Sequence, residues 1–148
     1  MTVIEQIVNN RKRVLEKEKE SLSLKEIRQK AEDLLESHYR PPDFLNTHNS
    51  EKPFLIAEIK KSSPSKGIIR EDFNLDDIAK AYKSSVHVNA ISVLTEPDYF
   101  SGSYEYIKKV QDTANKPVLM KDFIFDEYQV FKGFQIAIID SNQIKIKI

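Results

Sequence analysis

The sequence contains no cysteine. That excludes disulfides, thiolate metal sites and a cysteine nucleophile. It also lacks an excess of either charge, because 23 lysines and arginines stand against 23 aspartates and glutamates. A balanced chain has no net field to gather nucleic acid or anionic lipid. Lysine pairs such as Lys60-Lys61 and Lys108-Lys109 lack the interleaved aromatics of a nucleic-acid surface. No apolar run approaches the roughly 20 residues that cross a bilayer. The start has no signal-peptide core, since charge begins at Glu5 and recurs from Arg11. His38, His48 and His87 are scattered without ligand spacing, so no metal site is expected. There is no internal repeat and no low-complexity tract. What remains is a chain of 148 residues, long enough for one domain with a real core. The expected location is the cytoplasm, with neither a membrane nor a nucleic acid as partner.

What is present is organised around 54–67, FLIAEIKKSSPSKG. Phe54, Leu55, Ile56, Ala57 and Ile59 form an apolar run of the length of a buried parallel strand. Glu58 and Lys60 interrupt its end, two residues apart and so on one face. A buried unpaired charge is costly, so such groups are paired or sit at an opening. A polar loop follows, Ser62 to Gly67, and it cannot continue the strand. It is no Walker loop, because its glycine spacing is wrong. A hydrophobic strand ending in an inward Glu and Lys, then a small-residue loop, suits the mouth of a parallel α/β enzyme. The plainer alternative is a structural ion pair beside an ordinary turn.

Before that strand, Thr2 with Glu5 and Ser23 with Glu26 have the form of capping boxes. They open two amphipathic helices, with Ile4, Ile7, Val8, Val14 and Leu15 on the first stripe and Ile27, Ala31, Leu34 and Leu35 on the second. Arg40-Pro41-Pro42 ends the second helix, and 41–52 reads as a linker. After it the pattern predicts strands over 54–60, 90–94, 117–120 and 136–139. Helices fall between them, over 75–84 with Asn74 as cap and over 104–113 with Ser103 as cap. Asp126 caps a short helical turn through Lys132, and Gly133 leads to the fourth strand. Alternating strands and helices mean βαβ units and a parallel sheet, about four strands with three crossovers.

Three segments, AEIKKSSPSKG (57–67), ISVLTEPDYFSGS (91–103) and PVLMKDFIFDEYQ (117–129), together resemble indole-3-glycerol-phosphate synthase. The two leading helices resemble that family's N-terminal extension, and the match runs from Thr2 to about Gln129. The resemblance implies an α/β fold of the (β/α)8 TIM-barrel family. It implies closure of the indole ring of 1-(2-carboxyphenylamino)-1-deoxyribulose 5-phosphate, with release of carbon dioxide and water, in tryptophan biosynthesis. It implies no metal and no organic cofactor, and a small phosphorylated molecule as partner. By the resemblance, Lys121 is the general acid, Lys60 the second catalytic lysine, and Glu58 the carboxylate at the first strand's end. Ser63 and Pro64 match the loop over the substrate, and Phe100 and Phe123 the aromatic residues around the anthranilate ring; the plainer role for both rings is core packing. Asp122 reads as support for the strand end, and Glu96 and Ser103 as loop structure and helix caps.

A full barrel takes about 250 residues. The expected organisation is therefore one domain over 1–148: a helical extension at 1–40, about half a barrel of three to four parallel strands at 54–140, and a divergent tail at 141–148. The tail's Ile/Lys alternation suits an edge strand or out-of-frame sequence. Four strands cannot close a barrel, so self-association or pairing with a complementary barrel half is expected. The isolated chain is expected to lack normal synthase activity, since the family's late phosphate-binding loops have no counterpart positions. The alternative function is a non-catalytic barrel remnant that pairs with itself or with a partner.

Overall fold

A computed structural model describes residues 1–36 and 53–138. The proline break at 40–42, the linker at 41–52, His38, His48 and the tail at 141–148 lie outside the described residues. Two helices open the chain, α1 (Val3–Ser21) and α2 (Leu24–Glu36). Both expected capping boxes are present. Glu5 Oε2 accepts the Thr2 amide at 2.6 Å, and Thr2 Oγ1 accepts the Glu5 amide at 3.2 Å. Ser23 and Glu26 repeat the exchange at 2.8 and 3.3 Å. The Ser23 hydroxyl, then its amide, hold the Glu26 carboxyl below the ordinary range.

Next come β1 (Leu55–Ile59), a hairpin of β2 (Ser62–Ser63) and β3 (Gly67–Ile68), and α3 (Leu75–Ser84). They are followed by β4 (Val88–Leu94), the single turn α4 (Pro97–Phe100), α5 (Glu105–Ala114), β5 (Val118–Lys121) and α6 (Glu127–Ile138). Strands β1, β4 and β5 form one parallel sheet in that order. The central strand, VNAISVL, is apolar almost throughout and buried at all but one position, as expected of a strand flanked on both sides. On one face Ile59, Ile91, Val93 and Val118 pack with Ala79 of α3 and Ile107, Val110 and Ala114 of α5. Ile56, Glu58 and Lys60 point the other way by strand alternation. Glu58 stands beside Ser92, and Ser92 beside Leu119. Parallel strands that follow chain order, with helices on one face, are successive units of a (β/α)8 barrel.

One expectation is overturned. The sequence pattern predicts a fourth strand over 136–139 after a break at Gly133, but α6 runs unbroken through residues 136–138. Asp126 Oδ1 accepts the Tyr128 amide at 2.9 Å and starts the helix, as expected. Tyr128, Phe131 and Phe134 then recur every three residues and pack on the leading helices. Tyr128 meets Leu15 and Ile27, and Phe134 meets Ala31. Gly133 is not a breaker here. A Cβ on it would come 2.3 Å from Met120 Sδ, the movable end of a side chain, so the helix runs through the glycine with Met120 filling the space beside it. The described residues therefore hold three parallel strands in one sheet, not four. The leading helices are fastened to α6 as well by Lys19–Asp126 at 2.7 Å and Lys132–Glu18 at 2.9 Å.

Candidate active site

Parallel strands end on one edge of their sheet, so their last residues are neighbours. Glu58 is the penultimate residue of β1 and Lys60 follows that strand, while Lys121 ends β5. The Glu58 carboxylate reaches both lysines. Oε1 lies 2.7 Å from Lys60 Nζ, and Oε2 lies 2.5 Å from Lys121 Nζ. Burial pushes this carboxyl up, but the hydrogen bonds from Lys121 and then Lys60 outweigh it and hold it below the ordinary value of 4.5. Two ammoniums on one carboxylate leave one positive charge over, a setting that favours an anion.

The loop after β1 is more ordered than its sequence suggests. Lys61 O accepts the Ile69 amide at 2.9 Å, and Ser62 pairs with Ile68 in the hairpin. Gly67, at φ 62, supplies the left-handed residue at the turn. The Ser62 hydroxyl lies 2.8 Å from that of Ser101, which fastens the hairpin to the loop after β4.

That second loop is built on Glu96, which is fully buried. Its carboxylate accepts the amides of Asp98, Tyr99 and Phe100 at 3.2, 2.7 and 3.2 Å. The Gly102 amide donates to Glu96 O at 2.8 Å. The fold turns Phe100 toward Phe123, with ring centres 6.1 Å apart. Asp122 ties the end of β5, accepting from the Thr95 hydroxyl and the Phe123 amide, each at 2.8 Å. The N-cap position of α5 falls on Tyr104, not on Ser103, but the Ser103 hydroxyl accepts the Glu105 amide at 3.2 Å just ahead of the helix. Gly102 is required here, because a Cβ would stand 2.4 Å from Leu94 O and 2.8 Å from Glu96 O, both backbone atoms. Gly102→Ala is expected to cost ~1–3 kcal/mol, read as a lower urea midpoint at an unchanged slope.

The two loops and α1 enclose a cavity of about 680 Å³. Lys60, Ser63, Pro64, Phe100 and Phe123, all expected site residues, line it together with Ser65, Lys66 and Ile69. Glu58 and Lys121 are joined to it through Lys60. The sequence reading missed the third wall, which is Val3, Ile4 and Ile7 of α1. Ile4 was assigned to the core-facing stripe, yet Val3 and Ile4 are 49% and 61% exposed. Sequence alone carries no signal for that wall. An apolar, two-phenylalanine cavity with cationic groups at its rim suits an aromatic ring bearing anionic substituents. Among the described residues no group of three or more acidic or histidine side chains could hold a metal ion. No described helix is long and apolar enough to cross a membrane.

A family model described as indole-3-glycerol phosphate synthase matches residues 4–138. An indole-3-glycerol phosphate synthase of Clostridium acetobutylicum is 43% identical over 131 residues, covering 88% of this chain and 48% of that protein. One of Caldanaerobacter subterraneus is 45% identical over 131 residues with the same coverage. The tryptophan biosynthesis protein TrpCF of Haemophilus influenzae is 39% identical over 130 residues, covering 88% of this chain and 26% of that protein. The chain thus spans about half the length of the synthases that it matches.

Proposed function

Because the chain belongs to the indole-3-glycerol phosphate synthase family, we propose that its mouth serves ring closure of 1-(2-carboxyphenylamino)-1-deoxyribulose 5-phosphate. The observation that carries this reading is the single carboxylate, Glu58, held between Lys60 and Lys121 beside an aromatic-lined cavity.

In this reading Phe100 and Phe123 flank the anthranilate ring, while Ser63 and Pro64 lie over the substrate. Lys60 holds the substrate's anionic end. Lys121 gives a proton to the ketone oxygen as the ring carbon bearing the carboxylate attacks the carbonyl carbon. A carbon–carbon bond forms and the former ketone becomes a hydroxyl. Carbon dioxide then leaves, and its bonding pair restores the aromatic ring. The hydroxyl departs as water with a proton supplied at the mouth, and loss of a ring proton completes the indole. Glu58 orients the two ammoniums and is placed to handle the departing hydroxyl. General acid catalysis of this kind contributes typically 10²–10⁴-fold. No cofactor or metal enters the scheme, and the cytoplasm suits a biosynthetic step of this type.

A second reading is a docking module, and the sheet's edges favour it. Among the described residues the outer edges of β1 and β5 have no strand partner, and Leu55, Ile56 and Leu119 are each at least 40% exposed. Such edges accept another strand, from a second copy or from a complementary barrel half. One experiment separates the two. The purified protein is mixed with the ribulose phosphate, and indole absorbance is followed while its mass in solution is measured. Product formed in proportion to protein supports the synthase reading. A self-associated protein that neither binds nor consumes the substrate supports the docking reading and removes the first.

A further inference from the structure

The face by which α1 docks is not wholly apolar. Its buried residues are Ile7, Arg11 and Leu15, spaced one turn apart. Arg11 is 2% exposed, and neither its Nε nor its Nη2 has a hydrogen-bond partner. Tyr104, 8% exposed, also has an unpartnered hydroxyl. Two turns along the same helix face lies Glu18, 2.9 Å from Lys132 Nζ. That ammonium sits 4.6 Å from the centre of the Tyr104 ring. Burial first, then the Asp122 charge, push the Tyr104 hydroxyl's pKa up, while Arg11 pulls it down, so the guanidinium is a neighbour of this ring. No acid–base role in the reaction uses this group. A leucine would bury its surface here without leaving a donor open.

We propose that Arg11 is a positioning residue that fixes the axial register of α1 and so sets the α1 wall of the cavity. Without it the stripe would read aliphatic at residues 4, 7, 11 and 15. A slide of one turn toward the C-terminus, about 5.4 Å, would then exchange one aliphatic side chain for another within the stripe, and the ion pairs at Glu18 and Lys19 would resist it. With it, the same slide drives a guanidinium into the slot of Leu15, against Ile27 and Tyr128. A buried polar group that specifies register at the expense of stability is the best-attested use of such groups. The other polar contacts of α1, from Asn10 to Asp98, Lys19 to Asp126 and Glu18 to Lys132, also oppose a slide, and the buried guanidinium adds to them at the centre of the docked face. Register matters because Val3, Ile4 and Ile7 face the hairpin only in the observed one. This consequence rests on the mouth being the substrate site; the register itself does not.

The absence of cysteine allows a clean measurement. Cysteines at the exposed positions Asn9 and Lys109, on α1 and α5, are spin-labelled, and their separation is read by pulsed dipolar spectroscopy. The parent protein should show one narrow distance. Arg11→Leu should melt no lower than the parent, yet show two distances about one helical turn apart, or one broad distribution spanning them. Arg11→Lys, equally costly to bury out of place, should restore the single distance. In a turnover assay Arg11→Leu should raise KM several-fold with kcat little changed. A single unchanged distance in Arg11→Leu overturns the proposal, as does a lower melting temperature with loss of α1. A broad distribution in Arg11→Lys overturns it too. The distances need no turnover, so failure of the synthase reading would leave them interpretable.

Discussion

Replacing Lys121 with methionine is expected to lower kcat by about 10²–10⁴-fold and to leave KM within a few-fold. In the proposed mechanism the proton given to the ketone oxygen comes from this ammonium, and methionine approximates the side chain's length without the proton. Stability should change little, because the Lys121 side chain is 53% exposed and exposed pairs contribute at most about 1 kcal/mol. Glu58 keeps its second partner, Lys60, at 2.7 Å. Lys121→Arg is the informative control. A guanidinium preserves the contact with Glu58 but does not release its proton near neutral pH, so kcat should fall nearly as far as with methionine. Steady-state kinetics on the three proteins checks this. An arginine variant with near-parent kcat would show that only the charge is needed, and Lys121 would no longer be the acid.

Glu58→Gln is expected to cost on the order of 10²-fold in kcat and to change how the protein responds to acid. The amide leaves the two ammoniums facing each other with no counter-charge. The stability effect has a definite sign. The folded-state carboxyl is held below its ordinary value of 4.5. Its stabilisation is therefore fully present above that value and is lost as pH falls through the folded-state pKa. Thermal melts at pH 7 and pH 3 should show a smaller acid-induced drop in Glu58→Gln than in the parent. Asp126 adds acid sensitivity of its own. Burial raises it, but the Lys19 ammonium and the Tyr128 amide together hold it low. The variant should thus lose part of the drop and not all of it. An identical drop in both proteins would mean that the ion pairs contribute nothing to stability.

The mouth was legible wherever charge interrupts an apolar run. Glu58 and Lys60 at the end of FLIAEIK, and Lys121 after PVLM, could be placed at strand ends because buried charges need a partner or an opening. Helix α3 was readable end to end, since Asn74 accepts the Asp76 and Asp77 amides and the apolar spacing does the rest. Gly133 does not break α6 because the packing of Tyr128, Phe131 and Phe134 on the leading helices carries the helix through it, and local sequence carries no trace of those partners. The hairpin was invisible for a different reason. Each of its arms has two residues, too few to show alternation. The α1 wall was missed because the apolar residues of a helix's first turn look alike whether they face a core or a cavity.

The bond between Glu58 and Lys121 joins residues 63 positions apart. It cannot form until β4 is laid down between their two strands, and closing so long a loop carries an entropic cost that local contacts must first offset. A chain that has made its helices but not its sheet therefore has no acid poised against a carboxylate. Under the proposed mechanism, partly folded molecules, as they leave the ribosome or recover from denaturant, would be chemically silent. Recovery of catalysis on refolding should then trail recovery of helical circular dichroism.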